Sequence, residues 1–187
     1  MRVVHVMAGA REGGAENIML ESVLALAEAG IPQAVVTRPD NGYRSDRMKA
    51  AGVTVTAASF NRAWPFPTRA AISKALMTFK PDVVEFWMGR AGQFAPAAWR
   101  SRSIGWYGGY YKRARFANCD WHVGLTKDLL RHIREQGVPE NRSGIVHTYA
   151  DFEGSPPAAR AALATPVSYT HLRAHETKAN LVCRLLL

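Results

Sequence analysis

Long apolar runs are missing from this 187-residue chain. No stretch approaches the ~20 apolar residues that a membrane-spanning helix needs. Cysteine is scarce as well. Only Cys119 and Cys183 occur, far apart and at no metal or redox spacing, which excludes a disulfide framework and a zinc ribbon and fits a cytosolic protein. Acidic residues are the third shortage: 15 Asp and Glu stand against 24 Lys and Arg, a formal charge of +9. That balance either serves solubility or points to an anionic partner: nucleic acid, an anionic membrane face or phosphorylated substrates. The opening Met1-Arg2-Val3-Val4-His5-Val6-Met7 has one Arg and no small-residue cleavage site. It reads as a first buried strand rather than a signal peptide.

The composition changes near Pro166. Val167 to Thr177 resembles one reading frame of a transposase-type sequencing adapter, and Leu181 to Leu187 resembles its constant segment. Lys178-Ala179-Asn180 stands where a variable index sits. No helix or strand period runs through both blocks, so 167–187 is read as a non-native tail and set aside. The tail carries +2, from Arg173, Lys178 and Arg184 against Glu176, which leaves +7 for the rest. His171, His175 and Cys183 leave with it, so no metal pair remains and Cys119 is the one native cysteine.

What is present is an alternation. Residues 2–7 read as a strand, a glycine-rich turn follows from Gly9 to Gly14, and Ala15 to Ala29 carries the helical stripe Ile18, Met19, Val23, Leu26 and Ala27. Gly30 and Pro32 stop that helix. Strands are expected at 33–37, 53–56, 83–87, 103–107, 120–125 and 143–147. Helices are expected at 43–51, at 68–79 with Thr68 as N-cap, and at 126–136. This order predicts an α/β domain, a Rossmann-like parallel sheet with helices on both faces. Ligands in such sheets bind at the carboxyl ends of the strands. That rule selects the first turn, Met88–Gly92 after the fourth strand, and Gly108–Lys112 after the fifth.

In the first turn, Gly13 and Gly14 let backbone N–H groups approach a phosphate at a helix start, and Glu16 favours the helix dipole. The same pair also suits a tight turn with no ligand. The dinucleotide fingerprint G-x-G-x-x-G is absent. Ala15 replaces the third glycine of the Gly9-x-x-x-Gly13 variant, and Thr37-Arg38 closes the second strand without an acid. Arg38 suits a 2′-phosphate, yet no Tyr-x-x-x-Lys pair follows, since Tyr111 comes four residues after Tyr107 and Ala114 four after Tyr110. An NADP-dependent oxidoreductase domain therefore stays an alternative, as does a stand-alone nucleotide- or phosphosugar-binding module.

Gly13-Gly14-Ala15-Glu16 is similar to the motif that opens many family 4 glycosyltransferases of the GT-B fold. Cys119 to Leu129, Gln136-Gly137-Val138-Pro139 and Ile145 to Asp151 resemble that family's passage into its interdomain linker, with Thr148 where the family usually has Asn. Trp87-Met88-Gly89-Arg90 and Gly108-Gly109-Tyr110-Tyr111 resemble a bacterial branch acting on cell-surface polysaccharide or lipopolysaccharide. The resemblance covers 1–153. It implies an amino-terminal glycosyltransferase domain at 1–150, the start of an interdomain linker at 151–166, and a carboxy-terminal domain beyond Pro166. It implies a nucleotide-diphosphate sugar as donor, a glycan or glycolipid acceptor, transfer with retention, and no metal, cofactor or nucleic acid. Gly13, Gly14 and Glu16 would line the cleft near the donor's diphosphate. The acceptor-side candidates are Arg90, Gly109, Tyr110, Tyr111 and Lys112. Arg90 would hold a carboxylate or phosphate in fork geometry, or else cap a loop.

Tyr110 to Phe116 would grip an acceptor or rest on an anionic membrane, or else form a short solvated helix anchored by two aromatics. Many members place a histidine where Tyr107-Gly108-Gly109 stands, so no catalytic residue is assigned in this half. The chain as written is expected to be inactive, with its parent cytoplasmic or peripheral on the inner face of the membrane. His122, His132 and Cys119 read as structural residues, and Trp64 as loop packing.

Overall fold

The computed structural model describes residues 1–9, 13–97, 99 and 102–147. The linker start, the tail and the Thr148–Asp151 part of the family motif lie outside the described residues. Met1–Ala150 forms one compact unit.

The chain alternates as expected: β1 (Val3–Met7), α1 (Gly14–Glu28), β2 (Gln33–Thr37), α2 (Gly42–Ala50), β3 (Thr54–Ala57), α3 (Phe66–Phe79), β4 (Val83–Trp87), α4 (Met88–Gly92), β5 (Arg102–Tyr107), β6 (Trp121–Gly124), α5 (Lys127–Glu135) and β7 (Ser143–Ile145). Two 3-10 turns, Arg113–Phe116 and Glu140–Arg142, precede β6 and β7. The strands form one seven-stranded sheet in the order β3-β2-β1-β4-β5-β6-β7, every pairing parallel. β1 and β2 are buried along their whole length. Valine-rich runs suit strands that helices cover on both faces.

Successive side chains alternate between two cores. Val4, Val6, Val84 and Phe86 meet Ile72 and Leu76 of α3 and Leu129 and Ile133 of α5. Met7, Val35, Trp87 and Trp106 meet Met19, Leu20 and Val23 of α1 and Met48 of α2. Helices thus cover both faces. Gly30 closes α1 at φ 71, where its N–H reaches Ala27 O and that of Ile31 reaches Leu26 O at 2.9 Å each. This is a Schellman end, which a residue without Cβ adopts at no steric cost.

A buried polar chain ties three of the strands to α1. Gln33 Nε2 donates to Val23 O at 2.9 Å, so Gln33 Oε1 is the acceptor for His5 Nε2, also at 2.9 Å. The other ring nitrogen of His5 lies 2.9 Å from the Glu85 carboxylate. Buried polar groups need such partners, and these fix which residues of β1, β2 and β4 lie side by side.

Two expectations change. Thr68 is not an N-cap: α3 begins at Phe66, with a proline in its first turn, and Thr68 is buried inside it. Its hydroxyl accepts instead from Phe60 N at 2.9 Å. The ligand-side turn expected at Met88–Gly92 is a short helix, α4, entered through Met88 at φ 66. A non-glycine residue in the left-handed region stores roughly 1–3 kcal/mol of strain and is commonest at functional sites.

Candidate functional site

The strand order reverses direction between β1 and β4. A crevice opens there at the carboxyl ends of the strands, as doubly wound sheets require. It is a cleft of about 290 Å³. Ala8 and Gly9 after β1, Arg38 after β2, Trp87 to Arg90 at the end of β4, and Tyr111 and Arg115 after β5 line it, with Glu16 from α1. Three guanidinium groups and one carboxylate thus share a single concave surface.

Missing Cβ atoms shape this cleft. A Cβ on Gly9 would lie 2.5 Å from Glu16 Cγ, and one on Gly13 would collide with the Glu16 carboxylate. Glu16 is thereby admitted to a buried position against the first turn. A Cβ on Gly89 would lie 2.6 Å from Arg115 Cδ and 3.2 Å from the Tyr111 ring. Gly89 therefore lets both side chains lie over α4. Burial raises the Tyr111 phenol above its ordinary value; the Arg115 charge opposes that rise and the Glu16 charge adds to it. The phenol stays a neutral hydrogen-bonding group at physiological pH. Arg38 pairs with Asp40 at 3.1 Å. Arg90 is exposed, and neither it nor Arg115 has an ion pair among the described residues.

Behind the cleft, Trp87 and Trp106 stack with ring centroids 4.3 Å apart. Trp106 Nε1 is buried and has no hydrogen-bond partner among the described residues. Among the described residues no group of three His, Cys, Asp or Glu side chains gathers as a metal site. No described helix is long and apolar enough to cross a membrane.

No protein-family model matches the chain. A curated relative does: the lipopolysaccharide core biosynthesis glycosyltransferase LpsD of Rhizobium meliloti is 32% identical over 169 residues, covering 89% of this chain and 48% of LpsD. Among solved structures, Anabaena HepE in complex with UDP-glucose superposes with a TM-score of 0.63 at 12% identity, covering 81% of this chain and 44% of HepE. The lipopolysaccharide outer core galactosyltransferase WaaB superposes with a TM-score of 0.54 at 18% identity, covering 79% of this chain and 45% of WaaB. The chain is thus similar to lipopolysaccharide core glycosyltransferases, and its parallel sheet with flanking helices is the fold of the matched half of the HepE and WaaB structures. It spans about half the length of these relatives.

Within this Rossmann-like domain the expected site residues divide. Glu16, Arg90 and Tyr111 meet in the cleft. Gly13 flanks it through its contact with Glu16, whereas Gly14 is exposed and a Cβ there would touch nothing within 4 Å. Tyr110 turns away: it is exposed, donates its hydroxyl to Asp128 and packs edge-on against His132. Gly109 accepts from Tyr111 N at 2.8 Å, and Lys112 is exposed ahead of the Arg113–Phe116 turn. Tyr111 is half-buried and Phe116 fully so, the two aromatic anchors expected of this segment, although the short solvated helix expected there is a 3-10 turn at Arg113–Phe116.

Tyr107, at the position where many family 4 members carry histidine, is fully buried. It stacks on Phe116 and sits 3.0 Å from His122 Nδ1, so it belongs to the core. Trp64 does not pack under its loop; it is 61% exposed. Arg115, Gly9 and Gly89 were not among the site residues expected from sequence. The cationic run Lys112-Arg113-Ala114-Arg115 carried a signal for Arg115, but which of its cations turns inward depends on Gly89, far away in the chain.

Proposed function

We propose that this chain forms the acceptor-side half of a glycosyltransferase that moves a sugar from a nucleotide-diphosphate donor to a lipopolysaccharide-type acceptor. One observation carries the reading: Arg38, Arg90 and Arg115 converge on the cleft at the sheet's switch point. Guanidinium groups bind carboxylate and phosphate through paired N–H donors, and a partly buried cleft weakens solvent screening of that attraction. In our reading Arg90 and Arg115 hold an anionic group of the acceptor, and Tyr111 donates to a neighbouring hydroxyl. Gly13, Gly14 and Glu16 border the donor's diphosphate. The homology to LpsD supports the acceptor class, and the HepE complex supports a UDP-sugar type of donor. We place the enzyme in the cytoplasm, working against the inner face of the membrane where such an acceptor is anchored, and assign it no metal or redox cofactor.

The test uses Trp87, which lines the cleft, as a fluorescent reporter. Glucose 6-phosphate, glucuronate, UDP and glucose are titrated in turn. The reading expects the two anionic sugars to bind more tightly than glucose, and Arg90→Ala and Arg115→Ala each to weaken them by about tenfold or more. Binding of UDP that is indifferent to both substitutions places the nucleotide elsewhere. Equal binding of glucose and glucose 6-phosphate sinks the anionic-acceptor assignment. Transfer itself is tested by fusing residues 1–150 to the carboxy-terminal half of LpsD. A soluble chimera that fails to extend lipopolysaccharide core in cells lacking LpsD would count against the glycosyltransferase reading.

A further inference from the structure

α3 is apolar on two sides. At about 100° per residue, Thr68, Ile72, Leu76 and Phe79 fall on one side and pack toward the sheet, Thr68, Ile72 and Leu76 fully buried and Phe79 partly. Phe66, Ala70, Lys74 and Met77 fall on the opposite side, where Phe66 is 63% and Met77 60% exposed. Trp64, just before the helix, is 61% exposed and meets Phe66 edge-to-face at 5.2 Å. Large exposed side chains gathered on one surface mark an interaction site, unlike single scattered ones.

The loop that presents them is stiff. Asn61 Oδ1 accepts from the backbone N–H groups of both Ala63 and Trp64, at 2.9 and 3.3 Å. Phe60 holds a left-handed φ of 51 and is tied to Thr68. Pro65 and Pro67 fix two more φ angles. The aromatic pair is therefore held out in the folded state instead of swinging there from a flexible tip.

Charge identifies what covers this surface. Between Asp46 and Asp82 the chain has no Asp or Glu, yet it carries Arg47, Lys49, Arg62, Arg69, Lys74 and Lys80. Arg62, Arg69 and Lys74 are exposed and lie next to the aromatic pair or the outer stripe in the chain, Arg69 with its guanidinium 5.9 Å from the centre of the Phe94 ring. Exposed aromatic and aliphatic side chains beside exposed cations, on a stretch of chain without an acidic residue, match the interface of an anionic bilayer. The loop also leaves the carboxyl end of β3, the same end of the sheet that carries the cleft. A bilayer meeting this loop lies on the side from which an acceptor enters.

We propose that Trp64, Phe66 and Met77, with Arg62, Arg69 and Lys74, form a docking surface that seats the protein on an anionic lipid bilayer. This deepens the membrane contact proposed above by naming the residues that make it. It moves that contact off Tyr110–Phe116, whose Tyr111 and Phe116 are turned inward.

The test is co-sedimentation of the full chain with vesicles of phosphatidylcholine alone and with about a third phosphatidylglycerol. Binding is expected to the second vesicle and not the first. The double substitution Trp64→Ser, Phe66→Ser should weaken it by at least about tenfold. Arg62→Glu and Lys74→Glu should each weaken it by about fivefold or more. All four side chains are exposed, so an unchanged melting curve confirms that each variant folds. Failure of the wild-type chain to bind, or full binding by the double variant, overturns the proposal. So does loss of self-association in the double variant with vesicle binding intact, which would make the patch a contact between copies. The glucose 6-phosphate titration, repeated on the double variant, separates this surface from the cleft. If titration holds while vesicle binding fails in the wild type, the cleft assignment stands and the docking surface does not.

Discussion

The side chain of Glu16 lies where a Cβ on Gly9 would have to be, with only 2.5 Å between that position and Glu16 Cγ. The first turn is thus glycine-rich for a packing reason as well as a ligand one. Gly9→Ala should push Glu16 off its buried position and cost about 1–3 kcal/mol. Gly13→Ala should act in the same direction, against the movable end of the same side chain. Gly14→Ala meets open space in helical backbone and should stabilise by about 0.5 kcal/mol. Urea melts of the three variants check this ordering. Loss of stability at Gly14 equal to that at Gly9 would refute it.

Thr68 and Phe60 give a second contrast. The Phe60 N–H is buried and has the Thr68 hydroxyl as its partner. Thr68→Val keeps the shape but orphans that donor, which should cost roughly 1–3 kcal/mol. Thr68→Ser keeps the oxygen and should recover most of the difference, short of the lost methyl. Thermal denaturation of the pair reads the gap directly.

The centre of the sheet was legible in the sequence because β1 and β2 are buried on both faces and so read as short valine-rich runs. Gly30, Gly52 and Gly137 mark helix ends, and all three have positive φ. The position of the cleft followed from the alternation plus the rule for doubly wound sheets. What occupies it did not. α4 has two glycines in five residues and shows no period. Met88 carries its left-handed strain without any sequence sign. Arg115 reaches the cleft only because Gly89, 26 positions earlier by residue number, lacks a Cβ. Paired glycines drew attention to Gly13-Gly14, whereas the space around Glu16 depends on Gly9 and Gly13. Contacts between distant segments decide these points, and local pattern does not carry them.

Cys119 should be inert in the native protein. It is buried, and burial, reinforced by the charge of Asp120, pushes its thiol up to about 12. The thiolate is the reactive form, so almost none is present near neutral pH. In a Cys183→Ser variant, a disulfide reagent at mildly alkaline pH should find no reactive thiol until guanidinium unfolds the chain. Rapid labelling of the folded variant would mean that the segment around Cys119 opens far more readily than its packing implies.

His122 gives the fold a pH dependence with a definite sign. Its ring is 4% exposed, and its Nδ1 lies 3.0 Å from the Tyr107 hydroxyl. Burial raises the Tyr107 phenol, so its hydroxyl keeps the proton and donates it to a neutral imidazole. Burial, reinforced by the charge of Arg113, lowers His122 from 6.5 to about 4. Between those two values the unfolded chain binds a proton that the folded one refuses, so acid favours unfolding. The contribution is complete above about 6.5, falls as the pH drops toward about 4, and changes no further below that. Its upper bound is about 3 kcal/mol. Urea unfolding across this range should therefore show stability falling on acidification in the wild type. The difference between wild type and His122→Asn isolates this residue from the other histidines. Identical slopes in the two proteins would show that His122 accepts its proton in the folded state as readily as in the unfolded chain.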